Sequence, residues 1–130
     1  MEAGRKLLLR ESGGFASNFV RFEGKLGFNG LQPNCCFCGG FTEARKAAHL
    51  AQIYNLPIAN GGGWPLFNMH TFAGMMNGWI VEWHLGMVQV GQMLFVNPPE
   101  PVNGMLKIPE GGGLGLTLNR DALRDSEVAE

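Results

Sequence analysis

The chain has 130 residues, enough for one modest domain. It is 45% hydrophobic and 16% charged, the balance of a globular chain rather than a disordered one. A formal net charge of −1 argues against a nucleic-acid surface and against a basic membrane patch.

The N-terminus, MEAGRKLLLRESGG, has too short an apolar core for a signal peptide. Lys6 to Leu9 reads as a short strand, followed by a turn at Gly13-Gly14. Ser17 or Asn18 can cap a short helix with Phe19, Phe22 and Leu26 at helical spacing, although Gly24 weakens it. Leu31 to Cys38 reads as a second strand stopped by Gly39-Gly40, with imperfect pairing at Pro33, which has no N–H to donate. Cys35, Cys36 and Cys38 are an odd number of cysteines within four residues, which is no secreted disulfide framework. A tetrahedral zinc site needs four ligands and there is no second CxxC, so buried thiols filling a core are the expectation.

Phe41 to Tyr54 is the clearest helix, with Thr42 as its N-cap. Ala44, Ala47, Ala48, Ala51 and Tyr54 form one stripe, and its alanines allow close approach to a sheet. Asn55 ends this helix, and His49 falls on its surface. Leu56 to Asn60 gives a third strand, Phe67 to Met76 a helix closed by Asn77-Gly78, and Trp79 to His84 a fourth strand. The remainder is rich in Pro and Gly, with a last short helix capped by Asn119. The longest apolar region, Phe72 to Val96, is interrupted by Asn77, Glu82, His84 and Gln89. A membrane span is therefore not expected, and the chain reads as soluble and cytoplasmic. Its methionines, Met69 to Met93, read as core.

Strand and helix alternate, and helical connections of this length imply parallel strands. Two architectures remain open on this reading, a doubly wound sheet and part of a (β/α)8 barrel. In both, the loops after the carboxyl ends of the strands carry ligands. Gly61, Gly62 and Gly63 lie in such a loop, where glycine lets backbone pass close to a ligand or adopt positive φ. A flexible connection is the plain alternative. Trp64-Pro65 favours function, because proline stiffens the loop and tryptophan can wall a pocket.

Three segments in order, LQPNCCFCGGFTEARKAAHLAQIYNLPIANGGGWP, then GWIVEWH, then NGMLKIPEGGGLGLTLNRDAL, resemble the C-terminal part of the enolase superfamily in its mandelate racemase and muconate lactonizing branch. The resemblance covers about Leu31 to Leu123. It implies an α/β fold, an incomplete (β/α)8 barrel with roughly its last three to four β/α units and the C-terminal segment that returns to the capping domain. Residues 1–130 would form one partial barrel domain, with 1–30 as the fifth-strand region, 31–96 as the sixth to eighth strands and helices, and 97–130 as the capping segment. The whole superfamily barrel needs about 250 residues.

Members of the family bind Mg2+ with three carboxylates and remove the proton α to a substrate carboxylate, which implies a small carboxylate substrate such as a sugar acid. An α proton is weakly acidic, so the developing oxyanion must meet preorganised positive charge. By the same resemblance, Glu11 stands at the fifth-strand metal ligand and Glu82 at the eighth-strand acid. A carboxyl group in the latter role needs a raised pKa to donate. Asn34 occupies the place of a racemase aspartate, and Gly61 or Asn60 that of its partner histidine. A lysine base, used by other members on the sixth strand, is replaced by Phe37. One-base chemistry suits a dehydratase or other eliminating enzyme better than a racemase, with racemase, epimerase and cycloisomerase types left open. Asn34, Asn60, Trp64 and His84 are expected to line the substrate pocket, with His84 two residues after Glu82 on one strand face. His70 is expected to pack or cap within its helix. The competing expectation is a non-catalytic fragment or structural remnant. An open arc of barrel exposes strand edges, so a homo-oligomer, or dependence on a missing N-terminal half, is expected. Neither nucleic acid nor membrane is an expected partner.

Overall fold

The computed structural model describes residues 8–10 and 30–127. Four short strands form one parallel sheet: β1 (Leu8–Arg10), β2 (Gly30–Gln32), β3 (Ile58–Ala59) and β4 (Gly78–Ile80). Their spatial order is β1-β2-β3-β4, the order of the sequence. A doubly wound sheet reverses direction at a switch point, whereas a barrel adds each strand on the same side. The order therefore selects the barrel arrangement of the two architectures left open by the sequence. Leu9 pairs with Leu31, Leu31 with Ile58, and Ile58 with Gly78, with an irregularity between Ile58 and Ala59.

Helix α1 (Phe41–Ile53) connects β2 to β3, and α2 (Pro65–Ala73) connects β3 to β4. Ala44, Ala47, Ala48 and Ala51 are fully buried against Leu31, Ile58 and Phe72. The small side chains let α1 lie close to the sheet, and burial of Leu31 and Ile58 contributes about 1.5–3 kcal/mol each. Tyr54, expected on this stripe, is exposed instead and forms the C-cap, and Asn55 follows in the left-handed region. The N-cap is Gly40, with no side-chain cap bond, so Thr42 does not cap α1. Thr42 follows the first helical residue and sits two residues too late for that role.

After β4 comes α3 (Leu85–Leu94), then an antiparallel pair of β5 (Phe95–Val96) and β6 (Thr117–Leu118), and last α4 (Arg120–Asp125). The Asn119 side chain accepts from Ala122 N at the start of α4, as the sequence indicated. A second apolar cluster, around Leu66, Met69 and Phe95, packs α2 against the chain that follows β4.

Three strands are shorter than expected. Residues 34–38 turn rather than extend, with Phe37 N and Cys38 N both donating to Asn34 O at 2.9 Å. Pro33 ends β2's pairing by withholding a donor. The expected strand from Trp79 to His84 stops at Ile80, and the expected helix over 67–76 runs instead from Pro65 to Ala73. The methionines divide: Met69 is buried, while Met76 and Met93 are exposed. Among the described residues, no helix is long and apolar enough to cross a membrane.

Candidate active site

The carboxyl ends of β2, β3 and β4 bring Asn34, Asn60 and Glu82 together, along with Asn68 from α2. Asn34, Asn60 and Asn68 are all buried. A buried amide without partners is costly, so these side chains must spend their polar atoms on something. They converge on the loop between β3 and α2. The Gly63 carbonyl accepts from Asn34 Nδ2 at 3.1 Å, Asn60 Nδ2 at 3.1 Å and Asn68 Nδ2 at 3.2 Å. Asn34 Nδ2 also donates to Gly61 O at 2.5 Å, and Asn68 Nδ2 to Trp64 O at 3.0 Å.

The same amides tie the neighbouring loops together. Asn68 Oδ1 accepts from Cys35 N at 2.9 Å, and Asn34 Oδ1 accepts from Cys36 N at 2.9 Å and from Asn68 Nδ2 at 3.0 Å. Asn60 Oδ1 accepts from Glu82 N at 2.5 Å, which joins the β3 loop to the chain after β4. The carboxylate of Glu82 then closes the circuit, with Oε2 accepting from Gly63 N at 3.2 Å. Among the described residues this is the hydrogen bond that holds the Glu82 carboxylate, and its other oxygen is left for another partner.

Gly63 is required at the centre of this net. Its φ is +83°, and an added Cβ would lie 2.5 Å from Met87 Cγ. Trp64 also has positive φ, which turns the chain into α2 with Pro65 at the first helical position. Its indole meets Phe67 edge-on at a centroid distance of 5.9 Å. The three glycines and Trp-Pro thus form a rigid corner pinned by side chains from three elements.

The structure places the remaining candidates as follows. His84 is not on the strand beside Glu82; it caps α3, with Nδ1 accepting from Met87 N at 3.4 Å, because the strand stops four residues earlier. Glu11, in the sequence directly after β1, lies outside the described residues. His70 lies in α2 with its Nε2 buried and unpartnered. Asn68 is the site residue that sequence reasoning missed. Its signal was available: it is a polar residue within the otherwise apolar PLFNM start of α2.

The donor set at this end of the sheet is three engaged amides and one carboxylate. Among the described residues, no group of three or more His, Cys, Asp or Glu could hold a metal ion. A hard divalent cation such as Mg2+ needs several oxygen ligands, so the described residues do not fit it by themselves. Of the thiols, Cys36 is exposed and Cys35 and Cys38 are buried in the core beneath α1. Burial, reinforced by the adjacent Cys36 sulfur, pushes the Cys35 thiol up to about 12.

Residues 6–122 match the family described as enolase C-terminal domain-like. The chain is 35% identical over 112 residues to D-galactarolactone cycloisomerase of Agrobacterium fabrum, covering 77% of this chain and 30% of that protein. It is 33% identical over 97 residues to D-xylonate dehydratase of Haloferax volcanii, covering 72% of this chain and 24% of the relative. It therefore spans about a quarter to a third of the length of these relatives. The fold matches that of an enolase of the mandelate racemase subgroup from Agrobacterium tumefaciens that contains a succinimide residue. The TM-score is 0.69 at 27% identity, over 82% of this chain and 30% of that one. The chain belongs to the enolase C-terminal domain-like family.

Proposed function

We propose that this chain forms the last four strands of a barrel whose active site removes the proton α to the carboxylate of a sugar acid. What supports the reading is the placement of Glu82 at the carboxyl end of β4, one oxygen held by Gly63 N and the other available to a substrate. The related D-galactarolactone cycloisomerase, D-xylonate dehydratase and arabinonate dehydratase point to sugar acids and lactones as the substrate class.

Glu82 serves as the group that meets the substrate oxyanion. That role needs a hydrogen-bond donor beside the oxygen on which charge grows as the α proton leaves. Asn34 and Asn60 do not act as acids or bases. Their amides have no titratable proton at ordinary pH, and both are engaged in holding the Gly61–Trp64 corner. The base must come from outside the described residues, and elimination by a single base fits this arc better than racemisation by two. Because the described donors do not fit Mg2+ by themselves, the carboxylates that would hold such an ion have to come from outside the described residues. The reading is tested by incubating the protein with D-xylonate, arabinonate and L-rhamnonate and following formation of the 2-keto-3-deoxy acid, with D-galactarolactone isomerisation in parallel. Turnover of at least one is expected when the strands that supply the base are present, whereas the chain by itself is expected to be inactive. Absence of turnover with all four, in protein shown to be folded and carrying those strands, would contradict it.

A second reading has its own support. Every buried amide at this end is consumed in scaffolding, as in a module that only stabilises structure. The same assay separates the two.

A further inference from the structure

The hydrogen bonds around Glu82 single out one side chain. β4 pairs with β3 only as far as Ile80, opposite Ala59, so Glu82 lies two residues past the end of its strand. Asn60, the residue after Ala59, continues the pairing with its side chain. Its Oδ1 accepts from Glu82 N at 2.5 Å and its Nδ2 donates to Glu82 O at 3.3 Å, so one amide holds both main-chain groups of one residue. The same Nδ2 donates to Gly63 O at 3.1 Å, and Gly63 N in turn donates to the Glu82 carboxylate at 3.2 Å. Asn60 thus touches Glu82 twice and also steadies the residue whose N–H binds the Glu82 carboxylate.

The neighbouring amides do not share this task. The bonds of Asn34 and Asn68 run to the turn after β2, to each other and to the Gly61–Trp64 corner, and none reaches Glu82. Asn60 is fully buried, while Glu82 is half-buried. A misplacement of about 1 Å at a reacting group can cost about 100-fold in rate, so a carboxyl past the end of its strand needs such an anchor. We infer that Asn60 is the positioning residue of Glu82: it does no chemistry itself, and it sets where the Glu82 carboxyl group stands. The kinetic consequence rests on the reading of Glu82 as the group that meets the oxyanion; the positioning does not.

Two measurements on the full 130-residue chain test the positioning. The first needs no variant: the Glu82 N–H has a buried side-chain acceptor, so its hydrogen exchange is expected to be slowed at least about 100-fold relative to an unfolded chain. The second follows the Gly63 amide resonance by NMR across the carboxylate pH range. In the wild type it is expected to move as Glu82 titrates, and Glu82→Gln identifies that part of the movement, because His84 also lies against Gly63. Asn60→Ala is expected to abolish it. Asn77→Ala, which removes the bonds to Ala48 O and Leu56 O, is expected to lower the urea midpoint and leave the movement intact. Where turnover is found, Asn60→Ala is expected to lower kcat about 10–100-fold with KM changed less than about three-fold. An unprotected Glu82 N–H, a Gly63 resonance that still follows Glu82 in Asn60→Ala, or an equal loss of that movement in Asn77→Ala would overturn the positioning. Movement lost in Asn60→Ala with kcat unchanged would support the positioning and overturn the oxyanion reading of Glu82 instead.

Discussion

The buried amide of Asn68 illustrates how much of this site depends on groups that never meet a ligand. It joins the turn after β2 to the corner after β3 through Cys35 N, Asn34 Oδ1, Gly63 O and Trp64 O. Replacement by alanine orphans a buried backbone donor and leaves carbonyls underpaired, each unsatisfied group costing about 1–3 kcal/mol. Asn68→Ala is expected to lose about 3 kcal/mol in urea unfolding. Asn68→Asp is expected to lose at least as much, because a carboxylate keeps the bond from Cys35 N but points charge at the carbonyl oxygens of Asn34, Gly63 and Trp64. A loss below about 0.5 kcal/mol for both would mean that the net is ornamental. Asn34 and Asn60 were named as pocket residues through the family resemblance, which set them at the places of a racemase aspartate and histidine. Their task was not legible, since a strand-end amide can bind either a substrate or its own backbone. Only the placement of Gly63 decides between these.

At the scale of elements, α1 was readable because five positions repeat at helical spacing and four of them are alanine. Helix α3 was not read. Its ten residues, LGMVQVGQML, have no charged face to reveal a period, and Gly86 and Gly91 resemble loop signals. Gly91 instead serves packing, since a Cβ there would lie 2.6 Å from Leu66 Cδ1 of α2. The strand ends were misjudged for a related reason: apolar residues continue past the last ladder bond into the turns. The turn after β2 shows the consequence. It buries Cys35 and Cys38 in the core and leaves Cys36 exposed. One thiol per folded chain is expected to react with a labelling reagent at pH 8, and three after unfolding. The Cys35 thiol also sets a pH dependence. Its folded value, about 12, lies above the ordinary 9.0, so the folded state keeps a proton that the unfolded chain releases. The stability this contributes is whole below pH 9 and is lost as pH rises from 9 toward 12. Cys35→Ala is expected to flatten that loss in urea midpoints measured across this range.

For the molecule as a whole, the alternation of strand and helix fixed the class, and the family resemblance chose the barrel before the strand order did so independently. Glu82 was assigned by resemblance. Its hydrogen bond to Gly63 N was not, because the partners are 19 residues apart and meet only when β3 and β4 pair. The account rests on Glu82 as the one titratable side chain that the described strand ends offer to a substrate. The most direct measurement compares kcat/KM, on whichever sugar acid the proposed activity is found with, for wild type, Glu82→Gln and Glu82→Ala, with urea midpoints recorded alongside. Glutamine can still accept from Gly63 N and donate to an oxyanion, whereas alanine can do neither. The expected result is a loss of about 10²–10³-fold for alanine, a substantially smaller loss for glutamine, and midpoints too close to explain the difference. Equal activity in all three proteins, or losses that follow the midpoints, would contradict the account.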